Sequence, residues 1–485
     1  MYWEIINGSP WVTAILITGH LIGLVFVIFN QTKEISSTWA WMFVLIFIPI
    51  IGLLAYLILG RPLKHKKWSG ISPEEGDIPD QVSNGQMERL VSTHFNGNDL
   101  LNKYSKLIVM NFNSSHAPLS FDNEIKTFSH GHEKFEALLK DIRAAKSEIN
   151  LQYYMFKSDQ LGLKIRDQLI KKAKEKVKVR VLYDEIGSKS MVSSFFHKLV
   201  SYGGEVRVFF PSFLGVINFR INNRNHRKHC IIDGRIAYIG GFNIGNEYVG
   251  ANKRYGYWRD THYRIQGEAV NHIQRKFILD WRIVTKNKKD VSNQFSFQKK
   301  EHSGKSPVQV IASGPNSKTE HIKNMYIQLI MLARHSVYIQ TPYFIPDTSF
   351  MEACKIALLS GVDIRIMIPN RDDHFIHWAS RGYLGELLNY GATILMYEKG
   401  FLHAKTIVVD GEVASVGSSN LDIRSFKLNF EINSLVFDEK VANELQQLFL
   451  EDSKVSKELT LTTFLNRPLL QKSREAFARL LSPIL

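Results

Sequence analysis

The apolar positions of this chain follow three rhythms in turn. From Pro10 to Phe29, and again from Trp39 to Leu59, they run almost unbroken and free of Asp, Glu, Lys and Arg. Each run is long enough to cross the hydrocarbon of a bilayer as a helix. Pro49 and Gly52 interrupt the second, which membrane helices tolerate. The loop between them, NQTKEISS, leaves room only for a hairpin. Beyond residue 125 two other periods alternate. Phe135, Leu138, Leu139 and Ile142 share one face and predict a helix over about 132–146. Residues 149–156 read as a strand, Leu161, Ile165, Leu169 and Ala173 as a helix, and residues 177–184 as an alternating strand. Helices alternating with strands predict an α/β layered fold. The lysine-rich run KKAKEKVKVR reads as a solvated face. Residues 69–125 show no rhythm and read as a linker and an irregular start.

Composition adds limits. A chain of 485 residues exceeds one ordinary core, so two or three units are expected. Cys230 and Cys354 are its only cysteines, which predicts a reducing compartment and no disulfide framework. A net charge of +15 favours anionic partners, nucleic acid or anionic lipid, and the two apolar runs favour lipid. The first run is preceded by Glu4 without Lys or Arg and has no small-residue cleavage site, so it does not read as a cleaved signal. Arg61, Lys64, Lys66 and Lys67 follow the second run, whereas the connecting loop has only Lys33 beside Glu34. That asymmetry puts the C-terminal bulk on the cytoplasmic side.

The second half of the chain replays the first. NLQYYMF (150–156) matches YIQTPYF (338–344), with Gln152 and Gln340 188 residues apart. LVSYGGEVRVF (199–209) matches LLNYGATILMY (387–397) at the same offset. The histidines of the motifs below are only 177 apart, so the first half carries 11 extra residues. The insertion, PSFLGVINFRI, holds Phe213, Leu214, Val216, Ile217 and Phe219, with Arg220, Arg224 and Arg227 following. It reads equally as a loop tucked into the core and as a lip that dips into a bilayer.

The candidate chemistry also comes twice. HRKHCIIDG (226–234) and HAKTIVVDG (403–411) share the pattern H-x-K-x-x-x-x-D-G, and GGFN (240–243) and GSSN (417–420) follow them. The motif residues are His226, Lys228 and Asp233, then His403, Lys405 and Asp410. Such a pair suits a phosphodiester. One neutral imidazole attacks phosphorus, and a second protonates the departing alkoxide. Lys228 and Lys405 would neutralise the phosphoryl oxygens, with Asn243, Asn420 and Ser418 as further phosphate contacts. Gly241 stands where the second copy has Ser418, so the copies are not equivalent. No metal motif is present: no HExxH, CxxC or EF-hand loop.

On these motifs the chain resembles the phospholipase D superfamily and, within it, the bacterial cardiolipin synthases, over nearly its whole length. The resemblance implies two homologous α-β-α halves, 126–300 and 301–485, forming one catalytic unit behind a membrane hairpin (1–68) and a linker (69–125). It implies a histidine-orienting carboxylate about thirty residues past each motif, which Asp260 and Glu431 supply. It also makes Asp233 and Asp410 structural, through local ion pairs. The implied activity joins two phosphatidylglycerol molecules into cardiolipin and glycerol through a phosphatidyl-histidine, without cofactor or metal. His226 would be the nucleophile and His403 the acid and base. The implied setting is the bacterial cell membrane, with two spanning helices, a cytoplasmic catalytic domain, anionic lipid partners and no nucleic acid. A membrane-bound hydrolase releasing phosphatidic acid shares every one of these residues. A nuclease fits the charge but not the hairpin. The tail, 469–485, is amphipathic, with Leu470, Phe477, Leu480 and Leu481 near one face; docking on the core is the favoured expectation, and lying on the membrane the alternative.

Overall fold

The computed structural model describes residues 35–56, 60 and 97–481, with scattered positions between 11 and 25. Residues 213–217, 219, 253, 255, 287–294, 298–303, 318 and 372–374 lie outside the description. The first apolar run is therefore described only in part, and the apolar residues of the insertion (Phe213, Leu214, Val216, Ile217 and Phe219) not at all.

The first half contributes seven strands: β1 (Leu119–His130), β2 (Glu148–Tyr153), β3 (Lys178–Asp184), β4 (Glu205–Phe209), β5 (His229–Ile232), β6 (Ile236–Gly240) and β7 (Tyr257–Gly267). The second contributes β8 (Ser306–Ser313), β9 (Ser336–Gln340), β10 (Phe344–Ile345), β11 (Asp363–Pro369), β12 (Thr393–Tyr397), β13 (Gly400–Leu402), β14 (Thr406–Val409), β15 (Val413–Gly417), β16 (Leu421–Asp422), β17 (Glu431–Phe437) and β18 (Ser456–Glu458). One sheet runs β18-β12-β11-β9-β14-β15-β17-β8-β1-β7-β6-β5-β2-β3-β4, and β13 pairs with β7. Read outward from the central β8–β1 pair, the order is the same both ways. β2, β3 and β4 are parallel, as are β9, β11 and β12. β5 and β14 then join antiparallel to β2 and β9. The sequence repeat is thus a topological repeat, and its two copies meet antiparallel at β1 and β8.

The helices include α1 (Ile35–Phe47), α2 (Pro49–Ala55), α3 (Asp99–Lys103), α4 (Ser105–Ser115), α5 (Gly131–Ala144), α6 (Gln160–Lys174), α7 (Ala269–Thr285), α8 (His321–Leu332), α9 (Thr348–Leu359), α10 (Phe375–Leu388), α11 (Glu439–Ser453), α12 (Leu461–Leu465) and α13 (Leu469–Leu481), besides two short ones at His197–Ser201 and Ile423–Lys427. The strongly periodic helices appear where the pattern puts them. α5 buries Phe135, Leu138 and Ile142, and α6 buries Leu161, Ile165 and Leu169. Asp159 caps α6 by accepting from Gly162 N, while Lys171, Lys172 and Lys174 oppose the dipole at its last turn. The lysine-rich run is mostly a solvated face, with two exceptions. Lys172 is buried and donates to Ala145 O, and Arg180 is buried against Glu148 at 3.0 Å.

Residues 97–125 correct the expectation of an irregular start: they form α3, α4 and the first part of β1. Leu101, Tyr104, Leu107, Ile108 and Phe112 join the core of the second half, with Ile311, Met325 and Ile339. Lys103 pairs with Asp410 at 3.0 Å and Glu412 at 2.6 Å. The first half has its own core around Ile149, Val181, Cys230 and Tyr238.

Residues 1–64 and 210–223 cluster as one compact unit, and residues 65–209 and 224–485 as the other. In the first unit the chain breaks at Ile48–Pro49, between α1 and α2. Trp41 and Tyr56 meet edge-on at 5.2 Å, and Leu24 packs beside Leu45, Leu53 and Tyr56. Among the described residues no helix is long and apolar enough to cross a membrane.

Candidate active site

His226 and His403 lie just before β5 and β14, on segments that run beside the opposite half. β13 is parallel to β7, with Leu402 against Arg259, and a parallel bridge joins Asn225 to Phe430. His403 N donates to Arg259 O at 2.7 Å and His226 N to Phe430 O at 2.9 Å. Arg259 and Phe430 immediately precede Asp260 and Glu431. Each histidine is thereby set against the carboxylate of the other half. His226 Nδ1 lies 2.9 and 3.1 Å from the Glu431 oxygens, and His403 Nδ1 lies 2.6 Å from Asp260 Oδ2. The family resemblance implies both carboxylates but not this exchange.

A carboxylate on Nδ1 holds the Nδ1–H tautomer and leaves the Nε2 lone pair exposed for chemistry. Among the described residues neither Nε2 has a hydrogen-bond partner. Burial pushes both imidazoles down, outweighing the opposing pull of the carboxylates. His403, with Lys405 adding to burial, is pushed to about 3. Burial also lowers the lysines, Lys405 to about 8 and Lys228 well below its usual value. Lys228 Nζ donates to His226 O and Lys405 Nζ to His403 O. Lys405 Nζ also lies 2.9 Å from His403 Nδ1. Among the described residues neither lysine has an ion-pair partner.

The two surroundings differ. His403 is ringed by Trp258 at 5.2 Å, Phe401 at 6.0 Å and Tyr248 at 6.1 Å between centroids. His226 meets Tyr154 edge-on at 4.9 Å. Ser418 Oγ donates to Glu431 Oε2 at 2.5 Å and accepts from Ile432 N at 3.0 Å. In this arrangement its one proton lies on the carboxylate. A Cβ on Gly241, the counterpart position, would sit 2.0 Å from Asp260 Oδ1. Asn243 accepts from Met155 N and donates to Tyr248 OH, and Asn420 donates to Asp422. Each amide nitrogen keeps a second proton.

Asp233 and Asp410 follow β5 and β14, at the far ends from the histidines. Asp233 accepts from the backbone N of Lys146, Ser147 and Glu148, and Asp410 from that of Arg334, His335 and Ser336. Both have φ of +53°. They tie the turn after the motif to the loop before β2 or β9. The expected ion pair exists only at Asp410, with Lys103, so backbone hydrogen bonds do most of the anchoring.

A set of buried residues escaped the sequence reading. Arg227 Nη1 donates to Asp280 Oδ1 at 2.7 Å and its Nε to Glu431 O at 3.1 Å, while Gln152 donates to Asp280 Oδ2 at 2.6 Å. Across the halves, Arg259 of the first and Gln340 of the second both donate to Asp452 Oδ2, at 2.8 Å. Gln152 and Gln340 are the pair matched in the repeat, which was the available signal. Arg224 is buried too, 3.1 Å from Asp184. Arg224 and Arg227 therefore belong to the protein interior, not to a basic rim beside the insertion.

The comparisons agree with this geometry. The family described as "Cardiolipin synthase, PLD-like domain" matches residues 138–281 and 326–453, one match per half. A second, "Phospholipase_D-nuclease N-terminal", matches residues 21–61. The major cardiolipin synthase ClsA of Bacillus subtilis is 47% identical over 468 residues, 96% of this chain and 97% of that one. The chain belongs to the cardiolipin synthase family. A cardiolipin synthase of Listeria welshimeri is 48% identical, covering 94% of this chain and 95% of its own, and cardiolipin synthase 2 of Staphylococcus epidermidis is 43% identical over 98% of each. Membership makes the protein a phosphatidyltransferase of the phospholipase D superfamily. The crystal structure of phosphatidylserine synthase from Haemophilus influenzae shares the fold. Its TM-score is 0.58 at 17% identity, covering 78% of this chain and 100% of that one.

Proposed function

We propose that this site moves a phosphatidyl group from one phosphatidylglycerol to another, giving cardiolipin and glycerol. The observation that carries the reading is a pair of imidazoles with carboxylate-bound Nδ1 and unpartnered Nε2, set among two buried, unpaired ammonium groups. The anionic phosphodiester would sit against Lys228 and Lys405, with the spare amide protons of Asn243 and Asn420 as further donors. His226 Nε2 attacks phosphorus and the P–O bond to glycerol breaks. His403, carrying a proton on Nε2 once the anionic substrate is bound, delivers it to the departing alkoxide and becomes neutral imidazole. The primary hydroxyl of a second phosphatidylglycerol then gives its proton to His403, and its oxygen displaces His226 from phosphorus. One P–O bond is made for each one broken, so no nucleotide is consumed.

Residues 10–29 and 39–59 form the proposed membrane hairpin, with the catalytic halves on the cytoplasmic side. The uncharged runs, the basic cluster after the second, and outward-facing Trp39, Phe43, Phe47 and Ile51 support it. The division into 1–68, 69–125, 126–300 and 301–485 is proposed with one amendment. The segment from Asp99 to Ser115 packs with the second half.

The test is incubation of purified protein with phosphatidylglycerol vesicles and a chelator, with mass analysis of the lipids. Cardiolipin and free glycerol are expected. Phosphatidic acid alone would make the acceptor water and the enzyme a hydrolase. Turnover only on adding a divalent metal would overturn the proposed chemistry.

A further inference from the structure

The C-terminal helix α13 is mounted the wrong way round for a soluble protein. Gln471, Glu475 and Ala478, at helical spacing, form the stripe that meets the protein. Glu475 is 2% exposed and Ala478 0%. Glu475 takes hydrogen bonds from Arg467 at 2.7 Å and Gln471 at 2.9 Å. The large apolar side chains point outward: Leu469 is 79% exposed, Leu470 64%, Phe477 60% and Leu480 77%. Leu465 on α12 is exposed beside them in sequence. The tail does dock, as expected, but through its polar stripe and not through its leucines. A water-facing helix arranged this way gives up the burial of four large apolar side chains.

The flanks of the apolar face are basic. Lys472 and Arg474 are exposed, and among the described residues neither has a carboxylate partner. Arg474 lies over the Trp378 ring at 5.4 Å, and Phe477 meets Phe375 at 6.3 Å, so α10 adds aromatic rings to the same edge. An outward apolar stripe between basic flanks is the pattern of a helix lying in the interface of an anionic bilayer. We propose that α13 rests in an anionic lipid surface, its leucines and Phe477 below the headgroups and Lys472 and Arg474 among them. α10 links this surface to the site. Ser380 Oγ on α10 accepts from Phe344 N in β10 at 3.1 Å, and β10 pairs with β16, which directly follows Asn420. The lipid contact thus lies two elements away from a residue of the site, on a helix pair of the catalytic unit itself.

Native Cys230 and Cys354 are buried, so a single introduced cysteine takes a label selectively. Full-length Leu470→Cys, Leu480→Cys and, as a control, Lys171→Cys carry an environment-sensitive fluorophore in phosphatidylglycerol bilayers containing lipids with a shallow quencher. Quenching at 470 and 480 but not at 171 is expected, weakening when the bilayer is made zwitterionic. Absence of quenching at both positions would overturn the proposal. So would shielding that persists in lipid-free detergent and grows with protein concentration, which would assign the face to a second copy of the chain. As a second arm, Leu470→Gln/Phe477→Gln/Leu480→Gln should keep the wild-type melting temperature. It should lose about tenfold in turnover on bilayers, and little on short-chain phosphatidylglycerol. Equal loss on both substrates would count against the proposal. The quenching readout is independent of turnover, so it stands apart from the catalytic assignment.

Discussion

His226 and His403 occupy equivalent places in the repeat, yet their surroundings have diverged. His226 faces Glu431, whose second oxygen is held by Ser418, and one aromatic ring, Tyr154. His403 faces the shorter Asp260, with glycine at the position of the serine and three aromatic rings around it. A longer carboxylate leaves space for a hydroxyl in the turn, whereas a shorter one with a closer backbone demands glycine. The two solutions fix the same tautomer at different polarity. The drier His403 is the harder ring to protonate, so it gives a proton up readily to a leaving alkoxide once the phosphodiester has raised its affinity for one. His226, equally buried but with one aromatic neighbour, rests neutral. That division supports the roles proposed for them.

The largest effect should come from the histidines themselves. His226→Gln and His403→Gln should each lose about 10³-fold or more in turnover. Only His403→Gln should trap a phosphatidyl adduct from a substrate with a good leaving group, detected by intact-protein mass. An adduct in His226→Gln instead would reverse the roles. Next come the carboxylates, whose effects should cross between halves. Glu431→Gln and Asp260→Asn should each lose about 10²–10⁴-fold through the wrong tautomer. Ring ¹⁵N shifts should move at His226 for the first and at His403 for the second. Shifts that stay within one half would contradict the exchange.

The turn residues separate the two solutions further. Gly241→Ser drives a side chain into Asp260 and should cost about 10²-fold in kcat by displacing His403. Ser418→Ala removes one hydrogen bond to Glu431 and should cost only about tenfold. The smallest effect is on stability against pH. The folded His403 ring titrates near 3 and the unfolded ring near its ordinary 6.5. The folded state therefore binds fewer protons in that window. Its stability is full above 6.5 and falls with acidification, by up to about 1.4 kcal/mol per pH unit from this ring. Melting temperatures at pH 7 and pH 5 should diverge less in His403→Gln than in the wild type. Parallel slopes would mean that the ring is not dry.

What the sequence made legible was whatever it repeats or spaces periodically. The two motifs, the matched strands, α5 and α6 stand out because period and spacing are properties of a line, whereas both carboxylates came from the family resemblance. Which carboxylate meets which histidine is a property of the β13–β7 and Asn225–Phe430 pairings, and a line does not carry it. Arg227, Arg259 and Lys172 are written like surface charges, and only the fold reveals them as buried. The hydrogen bond from Ser418 to Glu431, 13 residues on, is likewise written only in the fold. α13 illustrates the opposite limit: its amphipathicity was legible, but not which face turns inward.

The placement of α4 has a consequence in time. Phe112 and Ile311 share one core, with about 200 residues of chain between them. At synthesis rates of 5–20 residues per second, Phe112 leaves the ribosome roughly 10–40 s before its partner exists. The first half is complete within that interval, while the apolar face of α4 has nothing of its own to cover it. The nascent chain is therefore most open to mispairing, or to a chaperone, at a helix that forms no part of the candidate site. A substitution there would be felt first in yield, and only afterwards in catalysis.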